Sequence, residues 1–207
     1  MKDETFHLIL FTASLAFFVW SAINPYDYVI WAMEVLPVVI GFVVLILTYP
    51  KFKFTNFAYV LIAIQILILV IGGHYTYAKV PLFDWIKDIF NLSRNHYDRL
   101  GHIAQGFIPA ILARELLLRT SNLKRGKWLF FVSVSICMAI SAFYEIVEWI
   151  VAVTTDNVAD AFLAMQGDVW DTQWDMFMAL CGAIISLIVL RKVHDRYLEN
   201  IKKQSSG

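Results

Sequence analysis

The chain has 207 residues, of which 59% are hydrophobic and 16% are charged. A soluble domain of this length is normally much less apolar, so the composition predicts an integral membrane protein. The formal net charge is zero, so nothing in the charge balance suggests a nucleic-acid partner, and membrane lipid is the expected surrounding.

Six apolar stretches are long enough to cross a membrane as helices. About 20 mainly apolar residues are needed to span roughly 30 Å of hydrocarbon, because every backbone polar group must be satisfied within the segment. In chain order the predicted spans are Phe6–Ile23, Val29–Tyr49, Phe57–Tyr77, Arg99–Leu118, Trp128–Val151 and Thr172–Leu190. The predicted fold is therefore all-α: one integral membrane domain over residues 1–207, a polytopic helix bundle with about six transmembrane helices.

The basic residues are concentrated on one side of this predicted bundle. The second loop, the fourth loop and the tail carry Lys51, Lys53, Arg119, Lys124, Arg125, Lys127, Arg191, Lys192, Arg196, Lys202 and Lys203. The first and fifth loops carry aspartate and no base. Because cytoplasmic loops hold the excess of lysine and arginine, both termini are predicted to be cytoplasmic.

The third loop, over residues 79–98, has a pattern of its own. Apolar residues recur in it at helical spacing between charges, at Phe83, Trp85, Ile86, Ile89 and Phe90. Such a segment is typical of a short helix lying on the membrane surface, here the outer one.

Ionisable residues from distant parts of the chain fall at the outer ends of the predicted helices. They are Glu34, His74, Asp98, Arg99, His102, Glu145, Glu148, Asp168, Asp171 and Asp175. Residues three or four apart share a helix face, and three pairs have that spacing: Asp98 with His102, Glu145 with Glu148, and Asp171 with Asp175. A charge at the centre of a membrane helix costs about 2.5–3.5 kcal/mol on insertion scales, so such groups tend to be buried, paired or metal-bound.

These residue types suit a divalent metal ion. Carboxylates and imidazoles are ligands for zinc or manganese, and carboxylates alone suit magnesium. The expected metal ligands are His102, Glu145, Glu148, Asp171 and Asp175. The candidate catalytic residues are His102, Glu145 and Glu148, since a carboxylate outside the coordination shell could be the general base for a metal-bound water. The residues expected around them are His74, Asp98, Arg99 and Asp168.

Two structural explanations compete with the metal hypothesis. Asp168, Asp171 or Thr172 could cap the last predicted span by accepting backbone N–H bonds. Arg99 could be the counter-ion of these carboxylates, which would make the cluster a salt-bridge network.

The opposite end of the fourth predicted span also carries charges. Arg114 and Glu115 lie too far from the outer cluster to belong to it. Glu115 and Arg119 are four residues apart and are expected to form a local ion pair.

Three segments carry a resemblance to a known family: residues 96–102 (HYDRLGH), 144–149 (YEIVEW) and 167–175 (GDVWDTQWD). They resemble the YjdF family of bacterial inner-membrane proteins, whose activity is uncharacterised. The likeness covers most of the chain, and it implies a multi-pass protein of the inner membrane without implying a reaction.

A more distant resemblance is to the VanZ-like membrane proteins. It is carried by the acid and histidine at the head of one helix, by Tyr144-Glu145, and by an aspartate-rich start of a last helix that contains Gly182-Ala183. Glu148 departs from that pattern, because VanZ-like sequences more often have glutamine there.

Three functions follow from the outer cluster. The leading hypothesis is a divalent-metal-dependent hydrolase that acts on a lipid-linked or cell-envelope substrate. A cation- or proton-coupled transporter is the second, although matching broken helices in two halves are missing. The third is a non-enzymatic membrane factor whose polar cluster is structural.

Overall fold

The computed structural model describes residues 3–154 and 166–204, and every regular element in those ranges is helical. The elements are α1 Asp3–Ser21, α2 Tyr28–Thr48, α3 Asn56–Tyr75, a 3-10 turn Tyr77–Lys79, α4 Pro81–Phe90, α5 Tyr97–Thr120, α6 Lys127–Thr154, α7 Asp171–Val189 and α8 Arg191–Gln204. The all-α prediction is confirmed. Much of the predicted fifth loop lies outside the described residues, and α8 is an additional helix that the sequence pattern did not indicate.

Within residues 3–154 and 166–204, five helices are long and apolar enough to cross a membrane: α1, α2, α3, α6 and α7. The remaining predicted span, α5, is not among them, because charged and polar side chains occupy both of its ends. From Asp98 to Glu115 the helix still rises about 25 Å at 1.5 Å per residue, close to the roughly 30 Å of hydrocarbon. Six crossings and cytoplasmic termini therefore stay predictions.

Side-chain hydrogen bonds cap the N-termini of α2 and α3. Asp27 Oδ1 accepts the backbone N–H groups of Val29 at 2.7 Å and Ile30 at 3.0 Å at the start of α2. Thr55 Oγ1 accepts the N–H of Ala58 at 3.2 Å at the start of α3. Such caps satisfy N–H groups that have no partner within the helix.

Helix α5 lies at the centre of the bundle, against α3, α6 and above all α7. Two glycines permit the closest approach. A Cβ at Gly106 would lie 1.8 Å from the carbonyl oxygen of Ala179 on α7, and one at Gly182 would lie 2.1 Å from that of Ile103 on α5. The backbones of α5 and α7 are therefore in direct contact, which only residues without a side chain allow.

The first two helices pack on α3 and leave large apolar surfaces uncovered. Leu8 and Ile9 of α1 and Leu36 and Leu47 of α2 are each more than half exposed. Apolar faces of this extent fit helices that lie next to lipid.

The amphipathic segment of the third loop is a helix, as predicted. Trp85, Ile89 and Phe90 on α4 are exposed, and Asn95 Nδ2 donates to the Val80 carbonyl at 3.1 Å and to Asp84 Oδ1 at 3.0 Å. These bonds fasten both ends of the loop to each other just before α5 begins.

A buried polar network closes the other end of the bundle around Glu115. Glu115 Oε1 accepts from the Thr55 N–H at 2.8 Å and from Arg119 at 2.7 Å, so the predicted local pair is confirmed. Its Oε2 accepts from the Thr55 hydroxyl at 2.8 Å and lies 3.0 Å from Nε2 of His194 on α8. Arg114 donates to Nδ1 of the same imidazole at 2.9 Å, so the ring proton is on Nε2 and is donated to Glu115. This network anchors α8.

Candidate functional site

The polar helix ends that the sequence singled out converge in the structure. The first turns of α5 and α7 meet the C-terminal part of α6 at the end of the bundle away from Glu115. Six of the predicted residues that lie there are buried: Asp98, Arg99, His102, Glu145, Asp171 and Asp175. Their convergence follows from the packing of α5 against both α6 and α7.

Two buried arginines bind the aspartates at the start of α7. Arg94 donates to Asp171 Oδ1 at 2.6 Å. Arg99 donates to the same oxygen at 2.7 Å and to Asp168 Oδ2 at 3.1 Å, and it also pairs with Asp175. The salt-bridge explanation therefore accounts for Asp168 and Asp171.

A second group forms around His102, between two carboxylates. His102 Nε2 lies 3.4 Å from Asp98 Oδ1 and 3.7 Å from Asp175 Oδ1. One ligand atom from each of the three residues lies within 4.8 Å of the other two. Asp98, which was expected outside the ligand set, thus belongs to this trio, whereas Asp171 is bound by the arginines.

The two glutamates of α6 lie next to this trio. Glu145 Oε1 is 3.9 Å from His102 Nδ1. Among the described residues, neither oxygen of Glu145 nor Nδ1 of His102 has a hydrogen bond of ordinary geometry. A carboxylate facing the second ring nitrogen is how proteins orient metal-binding histidines. Glu145 is therefore better placed to orient His102 than to join the trio.

A cavity of about 240 Å³ opens beside the trio. Asp98 and His102 form one part of its wall, and Glu148 of α6 and Glu34 of α2 form others. Glu34 is only 2% exposed, and its Oε2 has no hydrogen-bond partner in the described part of the chain. Glu148 is half-buried, so it is the glutamate of the α6 pair that borders open space.

Two of the predicted residues lie at the margin. His74 lies away from the carboxylates: its Nδ1 is 3.2 Å from the Ser21 carbonyl oxygen, and its ring centre is 4.5 Å from that of Trp20. Asp168 accepts the N–H of Trp170 at 2.9 Å, just before α7. Trp170 is the N-cap residue of α7, and its side chain accepts no hydrogen bond from the helix. Asp168 therefore stabilises the turn before α7 but does not cap the helix itself.

Arg94 is the site residue that the sequence reasoning missed. It lies in the loop before α5, and its pairing with the carboxylates was not predicted. Its spacing of four residues from Asp98 was the available signal, and the two side chains are 3.3 Å apart. His96 lies between Arg94 and Asp98 in the sequence. Burial lowers the pKa of its imidazole, and the positive charges of Arg94 and Arg99 lower that pKa further.

Acidic groups outnumber basic groups in this region. The carboxylates are Glu34, Asp98, Glu145, Glu148, Asp168, Asp171 and Asp175. The ion pairs that Arg94 and Arg99 form with described residues all go to aspartates. In the described part of the chain, Glu34, Glu145 and Glu148 have no arginine or lysine partner, so a bound cation or retained protons would balance their charge.

Comparison with known proteins agrees with the membrane architecture. Residues 6–196 match the family model described as a predicted membrane protein, DUF2238. The chain is 43% identical over 194 residues to the inner membrane protein YjdF of Escherichia coli (strain K12), an alignment that covers 92% of this chain and 93% of that protein. No solved structure matches the chain, and the distant resemblance to VanZ-like proteins stays a prediction. This multi-pass protein of the inner membrane therefore belongs to the DUF2238 family.

Proposed function

We propose that Asp98, His102 and Asp175 bind a divalent metal ion and that the site hydrolyses a lipid-linked or cell-envelope substrate. The observation that carries this proposal is the approach of the three potential ligand atoms to within 4.8 Å of one another. Two oxygens and one imidazole nitrogen from buried side chains suit zinc or manganese.

The excess of carboxylates over arginines in this region supports a further cation at the trio. Arg94 and Arg99 are shared among four aspartates, namely Asp168 and Asp171 and, within the trio, Asp98 and Asp175. His102 Nδ1 faces Glu145 Oε1 at 3.9 Å, on the side of the ring away from Asp98 and Asp175. A metal on Nε2 would fix the ring proton on Nδ1, and that N–H group could donate a hydrogen bond to Glu145.

The residues around the trio suit hydrolysis. A divalent ion supplies an acidic, bound water at neutral pH. Glu148 lines the cavity outside the trio, so it is the candidate general base that takes a proton from the attacking water. Glu145 is the positioning residue for His102. This assignment keeps the predicted residues but changes their roles: Asp98 joins the ligand set, and Glu145, Glu148 and Asp171 leave it.

The predicted orientation of the chain supports a location of the site at the outer surface of the membrane. The basic loops lie at the Glu115 end of the bundle, so the positive-inside rule assigns that end to the cytoplasm and the trio to the outer surface. Substrates at that surface are membrane lipids and envelope precursors carried on lipid, which agrees with a cavity next to the bilayer.

Metal analysis of purified protein tests the proposal. Wild type should contain about one zinc or manganese ion per chain, as expected for a single site. His102→Gln should lose the ion and keep its fold, because glutamine preserves polarity and much of the volume. His74→Gln is the matched control and should keep the ion, since His74 lies against α1. Wild type that binds no zinc or manganese after reconstitution, with a His102→Gln variant that melts early, would instead favour a structural cluster.

A further inference from the structure

The cavity beside the trio has a second acidic wall, formed by a helix that contributes no residue to the trio. Glu34 of α2 forms this wall. Its Oε1 lies 3.5 Å from the Thr76 hydroxyl, and its buried Oε2 has no hydrogen-bond partner among the described residues. A carboxylate buried to this degree is costly unless something pairs with it.

The carboxylates of this wall do not belong to the trio. The trio consists of Asp98, His102 and Asp175, whereas Glu34 and Glu148 line the cavity without an arginine or lysine partner among the described residues. Even when the metal site is full, these two carboxylates therefore need a retained proton or a second cation to balance them. A cationic group in the cavity would take the place of such a proton and would be attracted by the ionised carboxylate.

The rest of the lining selects what kind of cation fits. Gln65 contributes an oxygen that has no hydrogen-bond partner in the part of the chain that the structure describes, so the wall offers hydrogen-bond acceptors. Tyr77 and Tyr144 add aromatic side chains, which attract ammonium groups through their ring faces. Acceptors combined with aromatic rings favour an alkylammonium group, which supplies N–H donors and a diffuse positive charge.

The size and position of the cavity indicate that the ammonium group belongs to a lipid. A volume of about 240 Å³ is smaller than the roughly 300–1,000 Å³ of typical ligand pockets, so it accommodates a headgroup and not a whole lipid. Pro37 of α2 and Ile140 of α6 line the cavity as well. Ile140 is 43% exposed on the apolar outside of the bundle, so acyl chains could stay in the bilayer while the headgroup enters between α2 and α6.

We infer that this cavity binds the ammonium group of an amine-bearing lipid headgroup, with Glu34 as its principal counter-ion. One part of the inference rests on the proposed function: if the site is a hydrolase, its substrate class is an amine-bearing lipid. The binding itself does not require turnover, so it can be measured separately.

Three soluble probes test the inference on full-length protein in detergent. They are dihexanoyl phosphatidylethanolamine, dihexanoyl phosphatidylglycerol and free ethanolamine, with binding measured by titration calorimetry. Wild type should bind the ethanolamine lipid at least about tenfold more tightly than either other probe, the effect of one charge-assisted hydrogen bond. Glu34→Gln should lose that preference. Glu199→Gln, which removes an exposed carboxylate at the other end of the bundle, should keep it.

The controls separate each way of failing. Tyr144→Leu leaves every charge in place and should weaken the ethanolamine lipid more than the glycerol lipid, so it carries the test if Glu34→Gln does not fold. Equal binding of the two lipids by wild type, or no binding of the ethanolamine lipid, overturns the inference. Equal binding of free ethanolamine and the lipid overturns its lipid part.

Metal content measured on the same samples keeps the two proposals apart. Metal-loaded wild type with no amine preference refutes the inference alone. Metal-free wild type that still prefers the ethanolamine lipid supports the inference and refutes the metal-dependent hydrolase.

Discussion

Replacing Asp171 by alanine should destabilise the protein without removing the proposed metal ligands. Asp171 Oδ1 accepts from both Arg94 at 2.6 Å and Arg99 at 2.7 Å, and all three side chains are at least nine-tenths buried. Each charge-assisted hydrogen bond contributes roughly 1.5–3 kcal/mol. Because the arginines keep Asp98, Asp168 and Asp175 as partners, we expect the lower end, about 3 kcal/mol, which agrees with the roughly 3–5 kcal/mol for breaking buried pairs.

Thermal unfolding in detergent is the measurement. With the scaling of soluble chains of this size, about 2–4 °C per kcal/mol, the melting temperature should fall by about 6–12 °C. Glu199→Ala is the control, since its exposed pair with Arg125 contributes little. An Asp171→Ala variant with the same melting temperature as wild type would refute the assignment of Asp171 to the arginine network. Loss of metal from a variant that still melts with wild type would return Asp171 to the ligand set.

Three further outcomes are expected. Gly106→Ala should lower the melting temperature strongly, because its methyl group would overlap the Ala179 carbonyl, whereas Gly41→Ala, which has open space around it, should have little effect or stabilise α2 slightly. In a cysteine-free background and intact cells, a cysteine at Asp88 should react with an impermeant thiol reagent and one at Asn122 should not; the reverse pattern would place the trio in the cytoplasm. Truncation before α8 should lower the melting temperature, because it leaves the buried carboxylate of α5 without its imidazole donor; unchanged melting would show that α8 contributes nothing to the bundle.

Much of the helical architecture could be predicted from the sequence because lipid imposes a length and an apolar composition on each crossing. The predicted spans agree with the helices to within a few residues. Helix α4 could be predicted because its apolar residues recur at helical spacing between charges. The convergence of Asp98, His102, Glu145 and Asp175 could be predicted because the topology places all four at the same end of the bundle.

Which carboxylate pairs with which group could not be predicted, because it depends on the rotation of each helix about its axis. Asp171 and Asp175 share one face of α7, yet Asp171 meets two arginines and Asp175 meets His102 as well as Arg99. Arg94 was missed because it precedes the helix, where periodicity gives no direction. His74 has the right depth but turns towards α1.

The backbone contact between α5 and α7 has a consequence for how the protein responds to its bilayer. When hydrocarbon thickness changes, helices adjust mainly by tilting. Since Gly106 and Gly182 hold α5 and α7 at one separation, the two helices should tilt as a single body, and the spacing of the trio should stay constant. Helix α2 packs chiefly on α3, so Glu34 can move relative to that body. In thin and thick bilayers we therefore expect unchanged metal affinity but a different width of the cavity mouth, and hence a different access of lipid to the site.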